Sequence, residues 1–253
     1  MNDMTLDIDT LTERDIAKAI DHSLLRPELD DAFVEDGCRL AAEYDVASVC
    51  VRPADVARAT AILESTDVAV GTVIGFPHGN HRTETKVFEA KQALADGATE
   101  LDMVIQIGAL KSDRDADVGA DIKAIVDVAH AAGAIVKVIF ENAYLTDDEK
   151  IRACHLSEAA GADFVKTSTG FAPCGATHDD LRLMRASTSP HIQVKAAGGV
   201  RTLDALLEVM ALGTTRIGAT ATKAIIDDFR SRKAGAVPVN AGAGAAADGE
   251  GGY

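Results

Sequence analysis

The chain alternates short apolar runs rich in β-branched residues with amphipathic stretches of about ten to twenty residues. Short runs of this kind predict buried β-strands, whereas longer stretches with apolar residues every three to four positions predict helices. The predicted strands cover residues 19–24, 46–51, 68–74, 100–105, 135–141, 164–167, 192–196 and 216–219. The predicted helices cover residues 12–18, 53–63, 82–94, 113–131, 146–159, 179–185, 202–211 and 220–229.

Glycine marks several places where a predicted helix gives way to the next strand, namely Gly97, Gly133, Gly161 and Gly213. Eight strands that alternate with helices imply parallel pairing through right-handed crossovers. This number of units in 253 residues predicts an α/β fold, a single closed (β/α)8 barrel of the TIM type. A doubly wound open sheet is the alternative, although no Gly-x-Gly-x-x-Gly follows the first strand.

The composition changes sharply near residue 233. Residues 1–233 contain all predicted strands and helices and are interpreted as one barrel domain. Residues 234–253 are rich in glycine and alanine and end in Tyr253. Such a segment cannot bury enough apolar surface to order itself, so we predict a flexible C-terminal tail.

An excess of acidic residues limits the possible partners. The chain has 40 Asp and Glu against 25 Lys and Arg, a net charge of -15. This charge repels nucleic acid and anionic membranes, so neither is expected as a partner. Such a surface repels itself in dilute buffer and is screened by salt, which suggests a halophilic source. An acidic protein from an ordinary environment is the alternative.

The cysteines and the N-terminal residues indicate a cytoplasmic protein. The four cysteines show neither close pairing nor CxxC spacing, which favours free thiols in a reducing compartment over disulfides or a zinc site. The first ten residues lack the basic and apolar parts of a signal peptide. No run approaches the roughly 18 apolar residues that a membrane span requires.

Three lysines lie inside predicted strands: Lys137, Lys166 and Lys195. Burial and a neighbouring cation both lower the pKa of a lysine, which leaves a neutral, nucleophilic amine near pH 7. The alternative is a lysine with a buried stem and an ammonium that reaches water. Three such residues on successive strands favour the chemical interpretation.

Two aspartates are placed to meet these lysines. Asp21 lies in the first predicted strand, and alternation along the fourth strand turns Asp102 into the barrel. The carboxyl ends of barrel strands converge on one mouth. A neutral lysine there attacks a carbonyl to form a Schiff base, while a carboxylate and water move protons. These arguments alone do not rank Lys166 above Lys195.

Glycines at the later strand ends indicate a phosphate site. Gly198 and Gly199 follow the seventh strand, and Gly218 closes the eighth, before a helix predicted to begin near Thr220. Backbone amides and a helix N-terminus bind phosphate without basic side chains. Gly170 offers another amide, although any one of these glycines is as readily a turn residue.

The histidines and Cys50 give weaker signals. The seven histidines show no metal-ligand spacing, and His22 and His78 fit core or loop positions better than a metal site. Cys50, at the end of the second strand, either lines the pocket or fills the core as a small apolar residue.

Seven segments, in chain order, resemble signature segments of the deoxyribose-phosphate aldolases, a family of class I aldolases. They are residues 20–25 (IDHSLL), 48–53 (SVCVRP), 74–79 (IGFPHG), 100–105 (ELDMVI), 164–171 (FVKTSTGF), 175–177 (GAT) and 194–201 (VKAAGGVR). The resemblance implies reversible cleavage of 2-deoxy-D-ribose 5-phosphate to acetaldehyde and D-glyceraldehyde 3-phosphate, in deoxyribose phosphate catabolism. It also implies that no metal or organic cofactor is used. Barrels of this kind often pair, so a homo-oligomer, dimeric or larger, is expected.

The resemblance also implies residue roles. Lys166 would form the Schiff base, Lys195 would keep it neutral and relay protons, and Asp102 would exchange protons through water. Asp21 would order this network, and Lys137 would be a supporting charge. The implied substrate-binding residues are Cys50, Thr169, Gly170, Gly198, Gly199, Gly218 and Thr220.

Three positions depart from the family pattern. Gln106 stands where many relatives have asparagine, Ala221 where a serine is common, and Phe171 where some have a basic residue. The last two changes predict weaker phosphate binding. Some members end in a tyrosine on a mobile tail that reaches the site, a role open to Tyr253; a passive tail is the alternative.

Three other functions stay open at this point. One is a class I aldolase or transaldolase-like barrel that acts on another phosphorylated sugar. A second is an isomerase that uses acid–base chemistry without a covalent intermediate. A third, a barrel that only binds a ligand, is disfavoured because Asp102, Lys166 and Lys195 are all present.

Overall fold

The computed structural model describes residues 6–235. Its strands are β1 (Ile20–Leu24), β2 (Ser48–Val51), β3 (Ala69–Ile74), β4 (Glu100–Val104), β5 (Ile135–Ile139), β6 (Phe164–Lys166), β7 (Gln193–Ala197) and β8 (Arg216–Ala219). Each strand pairs in parallel with the next, and β8 pairs with β1 to close the barrel. The predicted (β/α)8 barrel is therefore confirmed, and the open doubly wound sheet was the wrong alternative.

The helices lie between the strands and cover the barrel. They are α1 (Glu13–Ala17), α2 (Asp31–Glu43), α3 (Val56–Leu63), α4 (Thr83–Ala95), α5 (Ile107–Leu110), α6 (Asp115–Ala131), α7 (Asp147–Ala160), α8 (His178–Ala186), α9 (Leu203–Ala211) and α10 (Thr222–Lys233). Short 3-10 turns occur at Ile8–Thr10, Pro53–Asp55 and Asn142–Tyr144. The proposed domain boundary at residue 233 stays a prediction, because most of the tail, Tyr253 included, lies outside the described residues.

Helix α2 was not predicted from the sequence. Asp30 caps it by accepting a hydrogen bond from the Phe33 backbone N–H at 2.9 Å. Its buried face consists of Val34, Gly37, Cys38 and Ala41. Gly37 obscures the helical pattern, but it has a packing role, because a Cβ there would lie 2.6 Å from Leu24 Cδ2 of β1. A glycine in mid-helix thus allows α2 to approach the barrel closely.

Most other helix ends follow the signals in the sequence. Thr146 and Glu149 form a reciprocal capping box at the start of α7, and Gly161 ends that helix with a left-handed φ of 85°. The remaining predicted helix ends also have glycine at positive φ: Gly97, Gly133 and Gly213.

The molecule has an apolar layer and a charged centre. Aliphatic side chains fill the space between the strands and the helices. Six acidic and lysine residues of the strands are nevertheless buried: Asp21, Glu100, Asp102, Lys137, Lys166 and Lys195. Within residues 6–235, no helix is both long and apolar enough to cross a bilayer.

The packing of Gly37 gives a test of the fold. We expect Gly37→Ala to lower the free energy of unfolding by about 1–3 kcal/mol, because the new methyl group would overpack Leu24. The matched change Gly119→Ala in α6 should raise it by up to about 1 kcal/mol, since alanine favours helix and its Cβ would lie 3.6 Å from Leu156. Urea unfolding measures both; stabilisation by Gly37→Ala would contradict the packing argument.

Candidate active site

Charged side chains meet in the centre of the barrel. Alternate residues of a strand face the same side, so Glu100 and Asp102 both contact Lys137 there. In total, three carboxylates and four cations from six strands form one contact network. We call these residues the charge cluster: Asp21, Glu100, Asp102, Lys137, Lys166, Lys195 and Arg216.

Asp102 is the centre of the charge cluster. The Nζ atoms of Lys166 and Lys195 each lie 2.8 Å from its Oδ2 atom. Lys137 donates to the other oxygen, Oδ1, at 2.9 Å. All four side chains are fully or almost fully buried. The structure thus brings together the aspartate and the three lysines that the sequence selected.

Asp21 distinguishes the lysines from one another. Its Oδ2 atom lies 2.5 Å from Lys195 Nζ and 3.6 Å from Lys137 Nζ, and Arg216 donates to its Oδ1 atom. Lys195 therefore bridges two carboxylates, whereas Lys166 contacts only that of Asp102 within the described residues.

Glu100 and Arg216 were not selected from the sequence. Glu100 accepts from Lys137 at 2.6 Å and from Arg216 Nη2 at 3.1 Å. Both cations also lie about 6 Å from the ring centre of Phe164, at 6.0 and 5.9 Å. A signal existed for Glu100, because it lies two residues before Asp102 and so shares its face of β4.

The cations keep the carboxyl groups ionised. Burial alone would raise the pKa of Asp102, but the three lysines hold that pKa well below its usual range. Burial likewise opposes the charge of Asp21, yet Lys195, Lys137 and Arg216 hold the pKa of Asp21 below its usual value. The cluster therefore keeps its negative charges at neutral pH.

The expectation of a lowered lysine pKa is wrong for Lys137. Burial opposes its charge, but Asp102, Glu100 and Asp21 together hold the pKa of Lys137 well above its usual value. Arg216 behaves in the same way: despite burial, Asp21 and Glu100 raise its pKa further. Both residues are therefore fixed cations and not candidate nucleophiles.

The fully ionised cluster would contain one cation too many. Three carboxylates face four basic groups, and an unpaired buried charge costs several kcal/mol. Lys137 and Arg216 balance two of the three negative charges. The third negative charge, that of Asp102, faces both Lys166 and Lys195. These two lysines are therefore the candidates for a nucleophilic amine.

The loops after β6 and β7 contain the glycines of the phosphate hypothesis in left-handed conformations. Gly198 and Gly199 have φ values of 79° and 93°, and Gly170 after β6 has 87°. A Cβ on Gly198 would lie 2.8 Å from Gly175 Cα, and Ala176 N–H donates to the Gly198 carbonyl at 3.2 Å. The two loops therefore approach each other through backbone atoms, next to the cluster lysines of β6 and β7.

The eighth strand has the predicted bounds, residues 216–219, and Gly218 lies within it, opposite Asp21 of β1. Helix α10 begins at Thr222, so Thr220 is an exposed loop residue before it and not the start of the helix. Ala221 stands at the N-cap and makes no side-chain capping bond there, which agrees with the loss of a hydroxyl at this position.

Cys50 is an apolar lining residue in this structure. It is 2% exposed and packs with Leu25, Val73 and Phe76. Burial raises the pKa of the Cys50 thiol to about 11, which keeps it protonated at neutral pH. The expected core position is therefore observed, whereas a role of Cys50 in lining the pocket stays a prediction.

Two more candidate site residues, Thr169 and Phe171, lie in the loop after β6. Thr169 is buried, and its hydroxyl donates to Glu141, a residue that the sequence analysis missed. The Phe171 ring lies edge-on to Phe76 with 5.3 Å between ring centres.

Gln106, another departure from the family pattern, donates to Thr83 Oγ1 of α4 at 3.4 Å.

The histidines show no metal-binding arrangement in the described chain. Within residues 6–235, no three His, Cys, Asp or Glu side chains are grouped so as to hold a metal ion. His22 is bonded to Thr222 Oγ1 through Nδ1 at 2.8 Å, and burial lowers the pKa of His22 to about 4. It is a neutral core residue, whereas His78 is exposed.

A closed (β/α)8 barrel with two lysines and an aspartate in contact at its centre indicates a barrel enzyme with its active site among these residues. Comparison with known proteins specifies the family. The chain belongs to the DeoC/LacD family of aldolases, whose model matches residues 12–245.

Its similarity to named relatives extends over most of their length. It is 50% identical to a deoxyribose-phosphate aldolase of Clostridium perfringens over 218 residues, which is 86% of this chain and 96% of that protein. It is 52% identical to that of Macrococcus caseolyticus over 207 residues, 81% of this chain and 93% of that one. The structure of the tetrameric deoxyribose phosphate aldolase from Aeropyrum pernix is similar with a TM-score of 0.82 and 31% identity, covering 89% of this chain and 95% of that one.

The cluster predicts how stability depends on pH. We expect Lys137→Met to lower the free energy of unfolding by about 3–5 kcal/mol at pH 7, because it breaks a buried ionic contact. The depressed aspartate pKa values stabilise the fold above about pH 4, and the raised pKa of Lys137 stabilises it below about pH 10. The deficit of the variant should therefore shrink outside this range.

Urea unfolding at several pH values measures this deficit. The control is Lys123→Met, which removes an exposed pair with Asp127 and should change stability by about 0.5 kcal/mol or less. A Lys137→Met deficit as small as that of the control would contradict the account of the cluster.

Proposed function

We propose that the chain is a class I aldolase that reversibly cleaves 2-deoxy-D-ribose 5-phosphate to acetaldehyde and D-glyceraldehyde 3-phosphate. The fold, the family and relatives 50% identical over most of the chain support this activity. The observation that carries the proposal is the contact of two buried lysines, Lys166 and Lys195, with the same carboxylate oxygen of Asp102. Lys166 is the proposed nucleophile.

The contacts explain why Lys166 rather than Lys195 is the neutral amine. Lys195 lies against Asp21 at 2.5 Å and Asp102 at 2.8 Å, so two negative charges stabilise its ammonium. Lys166 shares Asp102 with two other lysines and forms no ion pair with a second carboxylate among the described residues, although the charge of Glu141 acts on it from farther away. Lys166 is therefore assigned the role of nucleophile, and Lys195 that of proton carrier. The sequence left this order open.

The reaction begins with attack of the Lys166 amine on C1 of the open-chain sugar aldehyde. Loss of water gives a protonated imine, which serves as the electron sink. The C2–C3 bond then breaks, its electron pair forms an enamine, and the proton of the C3 hydroxyl passes to a base as glyceraldehyde 3-phosphate leaves. Protonation at C2 and hydrolysis release acetaldehyde and restore the amine. These steps need no metal or organic cofactor, as the resemblance implies.

The proton transfers are assigned to two neighbours of Lys166. Asp102 Oδ2 lies 2.8 Å from both lysine nitrogens, so one carboxylate oxygen connects the nucleophile with the ammonium of Lys195. Asp102 accepts and returns protons through water, and Lys195 supplies the proton that the departing hydroxyl of the carbinolamine needs. Asp21 orients Lys195, and Lys137 holds Asp102 from the opposite oxygen.

The phosphate group is assigned to the loops after β6, β7 and β8. Backbone amides of Gly170, Gly198 and Gly199 bind it, with Gly218 and Thr220 at the rim. The positive φ values of the first three glycines support a chain path that only glycine adopts easily. Thr169 and Cys50 line the adjoining pocket.

The wider setting is also a proposal. We assign the enzyme to deoxyribose phosphate catabolism in the cytoplasm, with one barrel domain (1–233) and a flexible tail (234–253). A homo-oligomer is supported by the relative from Aeropyrum pernix, which is tetrameric. A salt-adapted source is supported only by the net charge of -15.

Borohydride trapping tests the proposal. Acetaldehyde and borohydride should convert Lys166 of the unmodified chain to its ethylated form, located by peptide mass spectrometry. Lys166→Met should form no adduct at the site. Lys195→Met should trap at a rate lower by about 10²–10⁴-fold, because Lys166 would then take up the missing positive charge.

The retro-aldol rate on 2-deoxyribose 5-phosphate should fall in both variants. Lys123→Met, which changes an exposed lysine of α6, is the control and should keep full activity. An unmodified chain that cleaves the sugar phosphate without any trapped adduct would contradict the Schiff-base mechanism.

A further inference from the structure

A buried carboxylate outside the charge cluster is not used by the mechanism above. Glu141 follows β5 and is 2% exposed. Its backbone is left-handed, with a φ of 58°, a conformation that is uncommon for a residue with a side chain. Within residues 6–235 it forms no ion pair with a lysine or arginine. A buried, uncompensated and strained acidic residue is costly, and such residues concentrate at functional sites.

Glu141 binds one partner through both of its oxygens. The Thr169 backbone N–H lies 3.2 and 3.3 Å from Oε1 and Oε2, and the Thr169 hydroxyl donates to Oε2. Burial raises the pKa of Glu141, while these bonds from Thr169 act in the opposite direction. The carboxylate of the loop after β5 thus holds the loop after β6.

The contact is passed on along the loop. Thr169 Oγ1, whose proton is committed to Glu141, accepts the Phe171 backbone N–H at 3.0 Å. The Phe171 ring in turn meets Phe76 from the loop after β3, edge-on at 5.3 Å. Gly170, with its positive φ, lies between the two fixed residues. Glu141 therefore determines the path of the chain immediately after Lys166.

We propose that Glu141 is a positioning residue, which acts through Thr169 to hold the segment 169–171 where the phosphate end of the substrate binds. This inference rests on the proposed function. Lys166 itself is held by Asp102, and Glu141 acts on it through charge without a hydrogen bond, so its chemistry with a small aldehyde depends on Glu141 much less than substrate binding does. Binding of the full sugar phosphate does depend on it.

The isosteric change Glu141→Gln separates these two effects. A glutamine has one acceptor oxygen and cannot accept from both the N–H and the hydroxyl of Thr169 in the same way. We expect KM for 2-deoxyribose 5-phosphate to rise about tenfold or more, as the loss of a charge-assisted hydrogen bond implies. Trapping of Lys166 with acetaldehyde and borohydride should keep its normal rate.

A double-mutant cycle tests whether the effect passes through Thr169. Thr169→Val removes the hydroxyl at constant shape and should raise KM as much as Glu141→Gln, and Thr169→Ser should restore a normal KM. The double variant Glu141→Gln with Thr169→Val should be no worse than either single variant, since both remove the same contact. Glu158→Gln, which changes a glutamate bonded to the Ser189 backbone far from the cluster, is the matched control.

The outcomes are distinct. An unchanged KM in Glu141→Gln, or KM effects that simply add in the double variant, would overturn the positioning role. A loss of trapping rate in Glu141→Gln as large as its rise in KM would overturn the role as well. If Glu141→Gln does not fold, the threonine pair decides: a rise in KM in Thr169→Val that Thr169→Ser lacks supports the role, and no rise overturns it. Absence of an adduct in the unmodified chain removes the proposed function and the inference together.

Discussion

Asp102 must balance lysines in a buried site, and the remaining chemistry depends on this constraint. In the protein interior a surplus ammonium is much more costly than in water, so the lysine with the fewest carboxylate contacts is the one that gives up its proton. We propose that this lysine is Lys166, because Lys195 contacts Asp21 as a second carboxylate. The number of carboxylate contacts that each lysine makes thus explains how the cluster provides a nucleophile without a separate general base for it.

The barrel makes this arrangement possible. Its strands bring residues that are far apart in sequence, such as Asp21 and Arg216, into direct contact, and the surrounding aliphatic layer excludes water. The cluster is not primarily a stabilising device, since apolar packing of the same space would often be as stable. The cluster instead holds one more basic side chain than it has carboxylates. The loops then shape the binding site, and Glu141 connects two of them across the mouth.

Much of the fold and the centre of the site could be predicted from the sequence. All eight strands were found because buried parallel strands give short apolar runs, and a polar residue such as Asp102 or Lys166 stands out within them. Helix α2 was missed because Gly37 serves a contact with β1 that local pattern does not show. The resemblance implied that Lys137 is a supporting charge, but the pattern of the strands did not show which carboxylates surround it. The register between strands decides which carboxylates surround Lys137, and this register cannot be predicted from the sequence of either strand alone.

The charge state of Lys166 before substrate binds tests the central claim most directly. Lysine side chains labelled with nitrogen-15 give separate NMR signals for neutral amines and for ammonium groups. Among the eleven lysines, the account predicts one neutral amine at pH 7, whose signal is absent from Lys166→Met. In Lys195→Met the same lysine should become an ammonium. Eleven ammonium signals in the unmodified enzyme, or a neutral amine that remains in Lys166→Met, would contradict the account.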